Sequence, residues 1–247
     1  MRSTTRVAAI ATILTALAGI AWLALESTPV RLGFEDTDDP TVMVAFIRQH
    51  PEVFAQAGVV LLLMAVTLVI AVVAVGDAIG TSTDGLALRG TRAFGLFAAA
   101  ILFFGGGIRV GSSGPLLHMA GLSEASGEAA YVAAQVVSQA VLISGLLALC
   151  LWAVGLSLIG FRSKVLPLPL CALGVLPAYR IVSAMLGPVG LLPEVDALWI
   201  ASVASIFGTF VWCLLLGFVL LRRGFGSTSS AVDGEAIRRP EVAATEL

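Results

Sequence analysis

An all-α, polytopic integral membrane protein is the fold class this sequence predicts: a bundle of six transmembrane helices with both termini cytoplasmic. Three observations predict it. Six long apolar runs occupy most of the chain: Val7–Leu25, Phe54–Val75, Ala93–Val110, Tyr131–Ile159, Val165–Leu186 and Ala197–Leu221. Each is long enough to cross a hydrocarbon core of about 30 Å at 1.5 Å per helical residue. Hydrophobic residues make up 58% of the chain and charged residues 12%, against roughly 25% charged in soluble domains, which excludes an ordinary water-facing surface. The basic residues are also sorted by side. Arg2 and Arg6 precede the first run, Arg89 and Arg92 separate the second from the third, Arg162 and Lys164 separate the fourth from the fifth, and Arg222, Arg223, Arg238 and Arg239 follow the sixth. The intervening segments carry only Arg31 and Arg48, with Arg109 and Arg180 in or near spans. Lys and Arg mark cytoplasmic loops, so both ends are expected inside.

Taken in order, the elements form one domain, 1–223, followed by a tail, 224–247, that is expected to be disordered and cytoplasmic because it has no apolar periodicity. The first run could be a secretory signal, yet it is long for one and lacks a clear small-x-small cleavage site, so a retained span is expected. Its following segment, Glu26–Val53, is acidic and external. Within it Asp39-Pro40-Thr41 reads as a capped helix start, with Pro in the first turn, and Pro51 ends that helix near Gln49. Gly76–Arg92 is rich in Gly, Thr and Asp and reads as a flexible loop, without the Gly-Lys-Ser/Thr of a phosphate-binding loop. Ala201, Ser205, Thr209, Cys213 and Gly217 recur every four residues in the sixth run, as Ala11, Thr15 and Gly19 do in the first. Such stripes let helices approach closely, within the bundle or across a homodimer seam, and bundle packing is the preferred reading. No internal repeat of the transporter kind is evident.

The residues with chemical potential gather at the outer side. Glu124, Glu128, Tyr131, Gln135, Ser138 and Gln139 fall three or four apart and would form one polar stripe on the fourth span. Arg109 lies near the outer end of the third run, and Arg180, with Tyr179 and Ser183, two turns below the outer end of the fifth. Arg109, Glu128, Tyr131, Gln135, Gln139 and Arg180 are therefore the candidate ligand-binding residues. Two readings stand. The arginines pair with Glu124, Glu128, Glu194 or Asp196 or extend to the interface. Alternatively they hold a phosphate or carboxylate, which guanidinium binds in a bidentate fork.

Catalytic and cofactor signatures are weak. Gly111-Ser112-Ser113-Gly114 matches the Gly-x-Ser-Gly of rhomboid intramembrane proteases, but the sixth run has no histidine to serve as base; His50 and His118 fall in external segments, and a flexible loop explains the motif better. The lack of histidine within spans argues against haem, and no paired intramembrane carboxylates suggest a proton relay or metal centre. Cys150, Cys171 and Cys213 lie inside runs and read as small buried hydrophobes; a soft-metal site is the lesser reading. Pro167, Pro169 and Pro177 interrupt the fifth run and Gly105-Gly106-Gly107 loosens the third. No cofactor, catalytic residue or metal ligand is assigned.

A first span followed by a polar loop, His50-Pro51-Glu52-Val53-Phe54 leading into the second, and Leu192-Pro193 before the sixth resemble a bacterial six-span integral membrane family of unknown function, over roughly Arg6–Arg223. The resemblance implies the architecture and no activity. Thirteen Arg against one Lys, with abundant Ala, Gly, Val and Leu, is associated with GC-rich bacterial genomes, and a multi-pass bacterial plasma membrane protein is expected. The preferred function is a non-enzymatic accessory or membrane-organising component, and the alternative a transporter or binder of an amphipathic anion or lipid. An enzyme is disfavoured. Membrane lipid is the expected partner, with another membrane protein or self-association as further candidates and no nucleic acid.

Overall fold

The computed structural model describes residues 2–34, 39–79, 85–186 and 196–237, and among them the secondary structure is helical throughout. The helices are α1 (Arg2–Glu26), α2 (Thr28–Arg31), α3 (Pro40–Gln49), α4 (Pro51–Ile79), α5 (Gly85–Leu122), α6 (Glu124–Arg162), α7 (Leu168–Val175), α8 (Ala178–Leu186) and α9 (Asp196–Ile237). Long helices in α1, α4, α5, α6 and α9 are apolar enough to cross a membrane. The chain is a multi-pass membrane protein.

Packing closes these helices into a ring. α1 lies between α9 and α4, α4 against α5, α5 against α6, and α6 returns to α9 both directly and through α7 and α8. Because lipid gives no hydrophobic drive to association, backbone proximity has to come from small residues. The expected stripes supply it inside the bundle. A Cβ on Gly217 would lie 2.9 Å from the Ala9 carbonyl oxygen of α1, and one on Gly19 would lie 2.2 Å from the Phe210 ring of α9. Thr15 donates to Thr67 Oγ1 on α4 at 3.0 Å, and the Cys150 sulfur lies 3.8 Å from Thr209 Oγ1. The three cysteines are free and buried.

The surface helix forms where the sequence places it. The Asp39 side chain accepts the Thr41 amide at 2.8 Å, Pro40 occupies the first turn, and His50 leaves helical geometry before Pro51. This is a side-chain N-cap in which the proline's missing N–H costs nothing. Val44, Phe46 and Ile47 bury α3 against Leu116, Ala120 and Tyr131. Arg48 donates through Nη2 to the Ala120 carbonyl of α5. α3 thereby lies across α4, α5 and α6 at the end of the bundle where α1 finishes, the Glu26 end.

Three expectations are corrected. The fifth run is not one helix: α7 stops at Val175 and α8 begins at Ala178, around Pro177. Pro177 has no N–H for the carbonyl four residues earlier and its ring crowds that turn. The Gly111–Gly114 segment is not a loop; α5 runs through it, and through Pro115, to Leu122. Its continuation is held by Leu116 and Ala120, which bury under α3. Much of Gly76–Arg92 is helical as well. α4 extends to Ile79 and α5 starts at Gly85, with Asp77 paired to Arg92 at 2.6 Å.

One tie fixes the broken helix to the ring. Trp212 of α9 donates to the Leu170 carbonyl of α7 at 3.1 Å and meets Trp152 of α6 edge to face, with centroids 5.6 Å apart. Trp212→Phe removes that donor and some ring area. We expect a loss of about 1–3 kcal/mol in detergent unfolding, the range for a buried acceptor left without its partner.

Candidate functional site

Polar groups from α1, α5 and α6 gather at the Glu26 end. Arg109 lies four turns before the end of α5 and is 3% exposed. Its Nη1 and Nη2 address the two carboxylate oxygens of Glu26, the last residue of α1, with Nη2 to Oε2 at 3.3 Å. The guanidinium also lies over the Phe54 ring of α4, 5.7 Å from its centroid, a cation–π arrangement. A carboxylate fork on one side and a ring face on the other make a buried charge tolerable.

Arg109 reaches this place because two glycines bring α4 and α5 together. A Cβ on Gly106 would lie 2.7 Å from the Gly58 carbonyl oxygen, and one on Gly58 would lie 2.9 Å from the Gly106 carbonyl oxygen. The Gly105–Gly107 run therefore serves a close helix crossing, with α5 continuous through it.

Beside the ion pair is a half-enclosed cavity of about 170 Å³, lined by Glu26, Arg109, Tyr131, Gln135 and Gln139 together with apolar residues that include Phe46 and Phe54. Tyr131 is 4% exposed. Gln135 and Gln139 are half-buried, and neither carboxamide has a hydrogen-bond partner among the described residues. Arg109 Nε is buried and also lacks an acceptor. The walls are polar enough to hold water or a small polar group, unlike an apolar void, which stays dry.

The sequence-derived residues divide in the structure. Arg109, Tyr131, Gln135 and Gln139 share the cavity. Glu128 lies one turn before Tyr131 and accepts the Thr41 hydroxyl at 3.0 Å, anchoring α3. Arg180 does not line the cavity. Its helix α8 packs on α6 and α9. The partner expected for Arg109 among Glu124, Glu128, Glu194 and Asp196 is corrected to Glu26. Glu194 lies outside the described residues. Glu26 was legible in principle: it is the first charge after the first run, at the depth where the third run carries Arg109.

Serines of the Gly-x-Ser-Gly segment bond back to their own helix, Ser112 to the Arg109 carbonyl at 3.4 Å and Ser113 to the Val110 carbonyl at 2.8 Å. Among the described residues no three His, Cys, Asp or Glu side chains are grouped to hold a metal ion.

The sequence pattern of one family, described as Domain of unknown function (DUF4386), matches residues 7–224. No curated protein and no solved structure matches the chain significantly.

Proposed function

Since the chain belongs to the family described as Domain of unknown function (DUF4386), we propose that it is a non-enzymatic component of a bacterial plasma membrane that works by recognition at the cavity beneath α3. In this reading the two halves of the fifth run, α7 and α8, together make a sixth crossing. Both termini are cytoplasmic, and the Glu26 end faces outward. The charge asymmetry supports this orientation, because Arg89, Arg92, Arg162, Lys164, Arg222 and Arg223 flank the opposite end. A reporter fused after Arg223 is expected to read cytoplasmic and one inserted at Asp38 external; the opposite pair of signals contradicts the orientation.

The observation that carries the recognition reading is the spare hydrogen-bonding capacity at the cavity wall: two carboxamides and the Arg109 Nε–H. A carboxamide both donates and accepts, and a buried donor without an acceptor is unfavourable until a guest supplies one. Glu26 already neutralises Arg109, so the favoured guest offers uncharged hydroxyl or amide groups. An amphipathic anion is the second reading, favoured by the 31% exposure of the Glu26 side chain, which would let a headgroup displace it.

Native mass spectrometry of the protein in mild detergent separates the two. An uncharged guest is expected as an adduct lost in Gln135→Leu/Gln139→Leu and only weakened in Arg109→Met/Glu26→Leu, which removes the Nε–H but keeps both carboxamides. An anionic guest is lost in the second variant and retained in the first. An adduct pattern identical in wild type and both variants contradicts recognition at this cavity.

A further inference from the structure

A second site lies at the other end of the bundle. Pro167 caps α7 in extended geometry and Pro169 sits in its first turn, so this helix begins with two rings in place of two N–H groups. Between it and α9 the surface opens into a groove of about 760 Å³, walled by Pro167, Pro169, Leu173, Leu215 and Phe218, with Arg222 at one end. Leu215 and Phe218 are exposed. The walls are apolar, so water does not fill the groove stably, and at a membrane-facing position its natural occupant is an acyl chain.

Charge says which kind of lipid. Arg222 is exposed and has no hydrogen bond or ion pair among the described residues. Its neighbour Arg223 is used structurally, donating through Nη2 to the Val165 carbonyl in the α6–α7 turn. That donation draws the turn, with exposed Arg162 and Lys164, toward the same end of α9. Neither Gly160–Leu186 nor Ala197–Arg223 contains a single Asp or Glu. Arg92 of α5, by contrast, is paired with Asp77 of α4. An apolar groove ending in basic groups without carboxylates is complementary to an amphiphile with an anionic head.

We propose that the α7–α9 groove is a binding site for an anionic phospholipid, one acyl chain lying along Leu173, Leu215 and Phe218 and the phosphate meeting Arg222. This site is separate from the cavity beneath α3 and does not depend on the reading given to it. It also does not require the broken fifth run to act as a hinge. The proline-led start of α7 is sufficient, because it leaves a shallow trough where a straight full-length helix would fill the surface.

The test places a fluorescent reporter in the groove. The full-length chain carrying F218W is reconstituted in vesicles of phosphatidylcholine mixed with either brominated phosphatidylglycerol or brominated phosphatidylcholine. The native tryptophan signal, measured in the chain without F218W, is subtracted. Quenching is expected to report a preference of roughly fivefold for phosphatidylglycerol, the factor one unpaired basic group near a membrane surface supplies. Adding R222Q should bring the preference close to unity, whereas R89Q, which removes an exposed arginine on α5, should leave it unchanged. Both are surface substitutions, and their folding is checked by unchanged helical circular dichroism and an unchanged unfolding temperature. Equal quenching by both brominated lipids in the F218W chain overturns the proposal. So does a preference that survives R222Q, or one that R89Q reduces equally.

Discussion

Replacing Glu26 with Ala is expected to lower the stability of the bundle by about 3 kcal/mol, the lower end of the range for removing one partner of a buried ion pair. Arg109 is 3% exposed, and both of its terminal nitrogens are directed at the Glu26 carboxylate. Without Glu26 the guanidinium keeps only the Phe54 face and whatever water enters the cavity. The lower end applies because the Glu26 side chain is 31% exposed, so some of its favourable interaction is screened by solvent. The double variant Glu26→Leu/Arg109→Met should recover most of the loss, since a hydrophobic pair of similar volume is often no worse than the ion pair it replaces. Unfolding of wild type, Glu26→Leu, Arg109→Met and the double variant in the same detergent gives the cycle. A single variant as stable as wild type would mean that the pair is not formed.

Gly106→Ala is the second large effect, expected at about 1–3 kcal/mol for overpacking with little room to relax. The added methyl group would lie 2.7 Å from the Gly58 carbonyl oxygen and 3.0 Å from the Leu62 amide nitrogen, both backbone atoms. No side-chain rotation relieves such a contact; α4 and α5 have to separate. Since Arg109 follows Gly106 by one turn, that separation also moves it from Phe54 and Glu26. Gly107→Ala is the internal control, because nothing lies within 4 Å of a Cβ there. The control should unfold at or above the wild-type temperature, as Ala favours helix over Gly. Equal losses from the two substitutions would show that the helix crossing is not the cause.

Much of this architecture is legible from residue type alone. Five of the apolar runs are long helices, and the Asp39-Pro40-Thr41 signature gives a capped surface helix, because each depends on local chemistry. The small-residue stripes of the first and sixth runs are legible for a similar reason: close approach in lipid has few other means. What escapes is context. Three prolines visibly interrupt the fifth run, but only the packed structure shows that Pro177 is the one dividing α7 from α8, while Pro167 and Pro169 open α7. Gly111–Gly114 reads as a loop because its residues are weak helix formers, yet burial of Leu116 and Ala120 under α3 carries α5 through it.

The site divides in the same way. The polar stripe of α6 follows from helical spacing, so Tyr131, Gln135 and Gln139 face one cavity. Glu128 belongs to the same stripe, but a turn higher, where it meets Thr41 instead. Partner choice for Arg109 depends on which helices are neighbours, and spacing does not carry that information. Glu26 reaches Arg109 because both α1 and α5 pack on α4. Arg180 joins the cluster in the sequence by depth alone, whereas in the structure α8 packs against α6 and α9 and Arg180 does not line the cavity.

The central claim is that a polar cavity beneath α3 is open to the outside of the cell. The most direct measurement is labelling of a Gln139→Cys variant with a membrane-impermeant maleimide in intact cells. Cys150, Cys171 and Cys213 are buried and should stay unlabelled in the parent chain. Gln139 is half-buried at the cavity wall, so the variant is expected to label before the cells are opened, and to label faster when Phe46→Ala removes part of the α3 cover. Labelling only after the membrane is opened from the cytoplasmic side, or none in either state, would contradict the account.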